Sequence, residues 1–327
     1  MELCEGDGEG NMEVKNIIIS VVVPMYFEEL VAQECYDQLK GTLEGKEFDY
    51  ELIFVNDGST DKTEDILLKL SKNDKRVKVI NFSRNFGHQT AVTAGIFASK
   101  GDAIVIIDAD LQDPPSLIIE MIKLWEKGYE VVYGKRKKRN GESFFKVITA
   151  KYFYKFLNYM SDIDIPKDTG DFRLIDRKVA EVFKTMPERN RFIRGMMSWI
   201  GFNQTFIEYE REERFAGKTK YPLKKMVKFA TDGIVSFSTK PLKIVGLLGT
   251  VSIFASIIIF IYSVVSKLFI HQTITGWASI IDIIAFFGGL QLISLGIVGE
   301  YVARIYEESK NRPLYIIKST ENFSDKK

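Results

Sequence analysis

Cysteine and histidine are scarce in this chain: its 327 residues include only Cys4, Cys35 and two histidines. With no CxxC pair and no His at ligand spacing from a cysteine, neither a disulfide framework nor a zinc site is expected, and a reduced, cytosol-facing compartment fits. An excess of one charge is missing too. Lys and Arg number 45 against 44 Asp and Glu, a formal net charge of +1, which argues against a nucleic-acid-binding surface. The first fifteen residues, MELCEGDGEGNMEVK, lack an apolar core and read as a frayed tail rather than a signal peptide.

Long apolar runs, by contrast, are present twice. Ile244 to Ser266 contains no charged residue and Trp277 to Gly299 contains only Asp282, so each is long enough to span hydrocarbon. One such run could be a buried core helix; two in tandem are expected as a transmembrane pair. Basic residues crowd outside the pair (Lys218, Lys220, Lys224, Lys225, Lys228, Lys240, Lys243, then Arg304, Lys310, Arg312), while the connecting loop has Lys267 alone. The positive-inside rule then puts both chain ends in the cytoplasm.

Before these runs, short β-rich stretches alternate with longer helical ones. Strands are expected at Ile17–Val23, Glu51–Val55, Val77–Phe82, Ala103–Ile107 and Val131–Gly134, with helices at Glu28–Leu43, Thr63–Lys72, Gln89–Ser99 and Ser116–Lys127. That order predicts a doubly wound, mainly parallel α/β sheet, whose ligands bind beyond the carboxyl ends of the strands.

The residues after the fourth strand, Asp108-Ala109-Asp110-Leu111-Gln112-Asp113, crowd carboxylates together. Such groups repel one another and are usually held by a divalent cation that also bridges phosphate oxygens. After the second strand, Asn56-Asp57-Gly58-Ser59-Thr60-Asp61 can set a carboxylate against a base or ribose, with Gly58 allowing close backbone approach; turn chemistry alone explains it equally well. His88 has no acidic partner at a recognisable spacing, which favours a structural role at a helix start. Leu223, Met226, Val227, Ala230, Ile234 and Val235 predict an amphipathic interfacial helix, and a second stripe covers Phe144 to Met160, where core packing is an equal alternative.

Together with Ser83-Arg84-Asn85-Phe86-Gly87, Asp168-Thr169-Gly170-Asp171-Phe172-Arg173-Leu174, Arg191-Phe192-Ile193-Arg194-Gly195, Arg214 to Pro222 and Gly299 to Tyr306, these motifs resemble the family 2 glycosyltransferases of GT-A (Rossmann-like) fold. The likeness is specifically to the membrane-anchored polyprenyl-phosphate glycosyltransferases of the GtrB type, related to dolichol-phosphate mannose synthase, and runs from about Ile17 to Ile317. One departure is Phe27, where that family usually has Asn. The domains expected are a flexible tail (1–15), a GT-A domain (16–222), a juxtamembrane helix (223–240), a two-helix anchor (241–303) and a cytoplasmic tail (304–327).

The resemblance implies inverting transfer of a sugar from a nucleotide sugar, a UDP-hexose above all, to polyprenyl (undecaprenyl) phosphate at the cytoplasmic membrane face. Donor binding falls to Pro24, Tyr26, Glu28, Asp57, Asp108, Asp110 and Gln112, with Mg²⁺ or Mn²⁺ at Asp108 and Asp110. Asp171 is the candidate for the reacting centre and Asp168 the alternate, unless both merely close a Thr-Gly turn. Arg191, Arg194, Arg214, Lys218 and Lys220 are expected at acceptor or donor phosphates, and Arg136 stands in a basic run that more often is a solvated or lipid-facing surface. A homo-oligomer is allowed, and a flippase and a further glycosyltransferase are implied downstream. Two other classes are weighed against this: a processive polysaccharide synthase, which would be expected to show more membrane helices and a QxxRW-type motif, and a nucleotide-binding membrane sensor, which would not need the intact carboxylate cluster.

Overall fold

A computed structural model describes residues 17–137, 160, 169–210, 235, 238–265 and 276–323. The first half alternates strand and helix: β1 Ile18–Met25, α1 Ala32–Leu43, β2 Asp49–Asn56, α2 Thr63–Asn73, β3 Val77–Phe82, α3 His88–Ala98, β4 Ala103–Ile106, α4 Leu117–Glu126 and β5 Val131–Arg136. Each expected strand and helix is present. The largest shift is at α1, which starts at Ala32 because residues 26–31 are spent on a turn, Phe27 adopting φ +57°.

Beyond β5 come β6 Thr169–Asp176, α5 Arg177–Thr185, α6 Ile193–Ile200, β7 Gln204–Tyr209, then α7 Lys240–Val265, α8 Trp277–Ser309 and β8 Ile317–Glu321. The eight strands form one sheet in the order β7-β5-β6-β4-β1-β2-β3-β8. β6 runs antiparallel to both β4 and β5, and β8 antiparallel to β3; the remaining pairings are parallel. The sheet is therefore mixed but mostly parallel, and the Thr-Gly segment, for which a turn is the alternative reading, is the start of strand β6.

Period-2 alternation divides each buried strand between two cores. Ile19, Val21 and Val23 of β1 face α1, α2 and α4 through Leu39, Leu67, Ile118 and Met121. Val22 faces the opposite layer, with Ala91 and Ile96 of α3, Val179 and Phe183 of α5 and Ile193 and Met196 of α6. A sheet covered on both faces explains why its central strands read as near-continuous apolar runs.

α7 and α8 are long and apolar enough to cross a membrane, and outward side chains such as Ile258 (68% exposed), Phe260 (69%) and Leu292 (71%) find no protein cover among the described residues. Such surface in water is costly, and an apolar medium would relieve that cost. The segment expected as a tail carries instead the last turns of α8 and strand β8, which returns to the sheet. The N-terminal tail, the stripe before Met160 and almost all of the interfacial helix over 223–240 lie outside the described residues, as do Asp168, Arg214, Lys218 and Lys220.

Candidate active site

A cavity of about 290 Å³ opens at the carboxyl ends of β1, β2 and β4, lined by Pro24, Tyr26, Glu28, Asp57, Asn85, Gly87, His88, Asp108 and Asp110. Six of the seven residues expected to meet the donor are in that lining. Gln112 is not; it is buried behind it, its backbone N–H donating to Asp110 Oδ1 at 3.2 Å.

The wall after β1 is fixed by the turn after β2. Phe27 N–H donates to Ser59 Oγ (3.1 Å) and Glu28 N–H to Thr63 Oγ1 (3.0 Å), so the turn is anchored although Phe occupies a left-handed conformation better suited to Asn. Asp57 binds the protein itself: its carboxylate accepts from Phe86 N–H (2.6 Å), Gly87 N–H (2.9 Å) and Asn85 Nδ2 (2.9 Å). Burial pushes its carboxyl above the ordinary range, and those backbone bonds oppose the rise. Gly58, at φ +68°, is needed because a Cβ there would fall on the backbone of Arg84 and Asn85. The close approach expected of this glycine is thus between two turns of the chain, which together shape one end of the cavity.

After β4 the backbone turns sharply through Leu111, a buried non-glycine residue at φ +56°. Such strain is stable only when the surroundings over-determine it, and here it sets Asp108 and Asp110 toward the cavity. Asp108 Oδ1 is buried with no hydrogen-bond partner among the described residues, and His88 Nε2 stands 3.6 Å away. Burial raises the Asp108 carboxyl, His88 opposes this, and Asp171, Asp113 and Asp110 add to the rise.

Strand β6 lies beside β4, with Arg173 opposite Ile106, and so delivers Asp171 to the same end of the sheet. Its carboxylate accepts from Arg194 Nε (2.8 Å), His88 Nε2 (3.1 Å) and Gln89 Nε2 (3.1 Å). Burial alone would raise Asp171, but the Arg194 and His88 charges hold it well below the usual carboxylate range. Burial likewise opposes charge on His88, yet the bond to Asp171 and the Asp108 charge lift it to about 9. His88 begins α3, as expected of a helix-start residue, and it also has the acidic partners that its sequence neighbourhood does not reveal. Asp171 with His88 and Arg194 is a compact, charge-compensated group rather than a free base.

Arg136 reaches toward this region from β5: Nε donates to Tyr209 Oη (3.2 Å) and Nη2 lies 3.5 Å from Asp113 Oδ1, while Tyr209 Oη donates to Asp113. Gly170 accommodates it, since a Cβ there would sit 2.6 Å from Arg136 Nη2. Arg136 therefore belongs to a buried network tying β5 and β7 to the carboxylate turn, not to a solvated basic run. Arg191 is buried, donates to Met186 O (2.6 Å) and lies over the rings of Phe97 and Phe183, while its Nε and Nη1 have no hydrogen-bond partner among the described residues.

Residues 20–183 match the family described as glycosyl transferase family 2. The chain belongs to that family. Among its relatives, the glycosyltransferase YkcC of Bacillus subtilis is 53% identical over 96% of this chain and 97% of its own length. The prophage bactoprenol glucosyl transferase homolog of Escherichia coli K12 and the bactoprenol glucosyl transferase of Shigella phage SfV are each 41% identical, covering 92% of this chain and 98% of their own. Of solved structures, glucosyl-3-phosphoglycerate synthase of Mycobacterium tuberculosis aligns with a TM-score of 0.45 at 20% identity, covering 67% of this chain and 78% of that one. Its family membership and these relatives make the protein a glycosyltransferase, and its mixed, mostly parallel sheet is the α/β architecture expected.

Proposed function

We propose that this glycosyltransferase moves a hexose from a UDP-hexose such as UDP-glucose onto polyprenyl (undecaprenyl) phosphate, with inversion, at the cytoplasmic face of the membrane. The product lipid would donate its sugar to cell-envelope glycans. The observation that carries this reading is the 41% identity to bactoprenol glucosyl transferases, which spans both the carboxylate cavity and the two apolar helices.

Pro24, Tyr26 and Glu28 form the wall suited to the base, and Asp57 holds the turn beside it. An orphaned, buried Asp108 oxygen next to Asp110 fits a divalent cation. Asp108 and Asp110 would hold the ion, Mg²⁺ or Mn²⁺, both of which take carboxylate oxygens. Bound there, the ion would supply charge neutralisation to the departing diphosphate. The acceptor phosphate is already an anion, so it needs no base: its oxygen bonds to the anomeric carbon as the bond to the diphosphate oxygen breaks on the opposite face. Asp171 then serves best by holding His88 and Arg194 as oriented cations. Arg194 and Arg136 are the described candidates for anionic substrate, and Arg214, Lys218 and Lys220 complete the set by sequence.

The test is sugar transfer by purified full-length protein, with a panel of labelled nucleotide sugars against one polyprenyl phosphate. Excess EDTA should abolish transfer, and Asp110→Asn should cost about a hundredfold or more. Undiminished transfer in EDTA would remove the metal from the mechanism; polymer formation or nucleotide binding without transfer would favour the synthase or sensor classes.

A further inference from the structure

The strand that follows the membrane helices is built into the nucleotide side of the catalytic sheet. β8 pairs with β3 from Val79 opposite Glu321 to Phe82 opposite Ile317. At the end of β3, where the chain turns into the cavity wall, Ser83 N–H donates to Ile316 O at 3.0 Å. One step along, the Tyr315 ring stacks on Phe82 (5.0 Å between centroids, 17° between planes), and Phe82 meets Phe86 edge-on at 5.6 Å. Phe86 is the residue whose N–H makes the 2.6 Å bond to Asp57. A continuous stack thus runs from the segment behind the membrane helices to a carboxylate in the cavity wall.

We propose that Tyr315, with Ile316 and Ile317, is a positioning element for the Ser83–Gly87 turn and through it for the nucleotide end of the cavity. This rests on reading that cavity as the nucleotide site. The physical reason is that two supports converge on Phe86: Asp57 binds its backbone from one side, and the aromatic stack meets its ring from the other. Asn322 offers the contrast. Its Nδ2 grips Ser71 O (2.6 Å) and Val77 O (2.8 Å), at the opposite end of β3 from the turn. If β8 only seals a sheet edge, loosening either end should be equivalent; if it positions the turn, only the Tyr315 end matters to nucleotide. A cut after Lys240 removes β8 and should therefore impair nucleotide binding.

The experiment compares full-length wild type, Tyr315→Ala, Tyr315→Phe and Asn322→Ala in detergent by two readouts: amide hydrogen exchange across residues 83–88, and binding of UDP with Mn²⁺. Tyr315→Ala should speed exchange in that segment and weaken UDP about fivefold or more, the loss of roughly one well-placed hydrogen bond. Tyr315→Phe should behave as wild type, and Asn322→Ala should lower thermal stability without either effect. Unchanged exchange in Tyr315→Ala, unchanged UDP affinity alongside faster exchange, or equal effects in Asn322→Ala would overturn the proposal. Wild type that binds no UDP, with exchange behaving as described, would instead overturn the nucleotide reading of the cavity while leaving the link from Tyr315 to the turn in place.

Discussion

At φ +57° Phe27 holds a backbone conformation that a bulky side chain resists, while its ring is half exposed beside Tyr26. Asn tolerates that region and keeps the N–H that bonds Ser59, so Phe27→Asn should gain about 1 kcal/mol, read as a rise of a few degrees in the melting temperature. His88 makes a second prediction at this scale. Its folded value is raised to about 9 from an ordinary 6.5, so its stabilising contribution is complete below pH 6.5 and is lost as pH climbs through 9. Asp171, held low, contributes above its ordinary 3.8 and loses that contribution as the solution is made more acidic. Melting curves in excess EDTA should therefore show a wild-type advantage over His88→Gln that is steady from pH 5 to about 6.5 and shrinks toward pH 9. An advantage that grows with pH would mean the imidazole is neutral in the folded protein. Exposure of 42% of the His88 side chain allows the advantage to be partly screened by solvent.

Among the elements, β6 decides how the cavity wall is charged, because it carries Asp171, which stands behind the lining and binds His88 within it. Phe172, fully buried, anchors it in the first core and meets Tyr209 edge-on at 6.1 Å. Phe172→Ala should cost about 3–5 kcal/mol and, by loosening the strand that holds Asp171, should lower kcat even in the fraction that remains folded; thermal melts paired with transfer assays check both. This strand was also the least legible in sequence. The first five strands and four helices announce themselves through apolar runs set between turn signals, and the residues just after them do line the cavity. Thr169-Gly170-Asp171 opens with turn-forming residues, so local propensity pointed to a turn while pairing with β4 and β5 on both sides imposed a strand. The same limit hid the bond from His88 to Asp171, which joins residues 83 positions apart that only the sheet order brings together. Of the two rings that flank Arg191, Phe97 and Phe183, the first is likewise distant in sequence, so the burial of this arginine is not legible from its charge.

Across the whole molecule, the length of α8 and the pairing of β8 jointly restrict how the protein can sit in a bilayer. Thirty-three residues of α8 rise about 50 Å against roughly 30 Å of hydrocarbon. With the apolar stretch to Gly299 in the membrane, Glu300 to Ser309 projects by about 15 Å. The projecting end is tied to the catalytic domain, since Glu308 Oε1 accepts from Arg189 N–H (2.7 Å) and Asn311 Oδ1 from Arg189 Nη2 (2.9 Å). β8 then closes the edge of the sheet beside β3. A chain whose far end is paired with its catalytic sheet must return to the side from which it left, which requires an even number of crossings and agrees with the basic residues flanking the two apolar runs. On the proposed function the donor would come from the cytoplasm, so both ends are expected there, and the shared bilayer would hold the acceptor's phosphate near the cavity. In a variant with Cys4 and Cys35 replaced by Ser, a cysteine appended after Lys327 should resist a membrane-impermeant thiol reagent in intact cells and react once they are permeabilised. A cysteine introduced as His271→Cys should react from outside in both cases. Labelling of the appended cysteine in intact cells would contradict the cytoplasmic placement of the chain end.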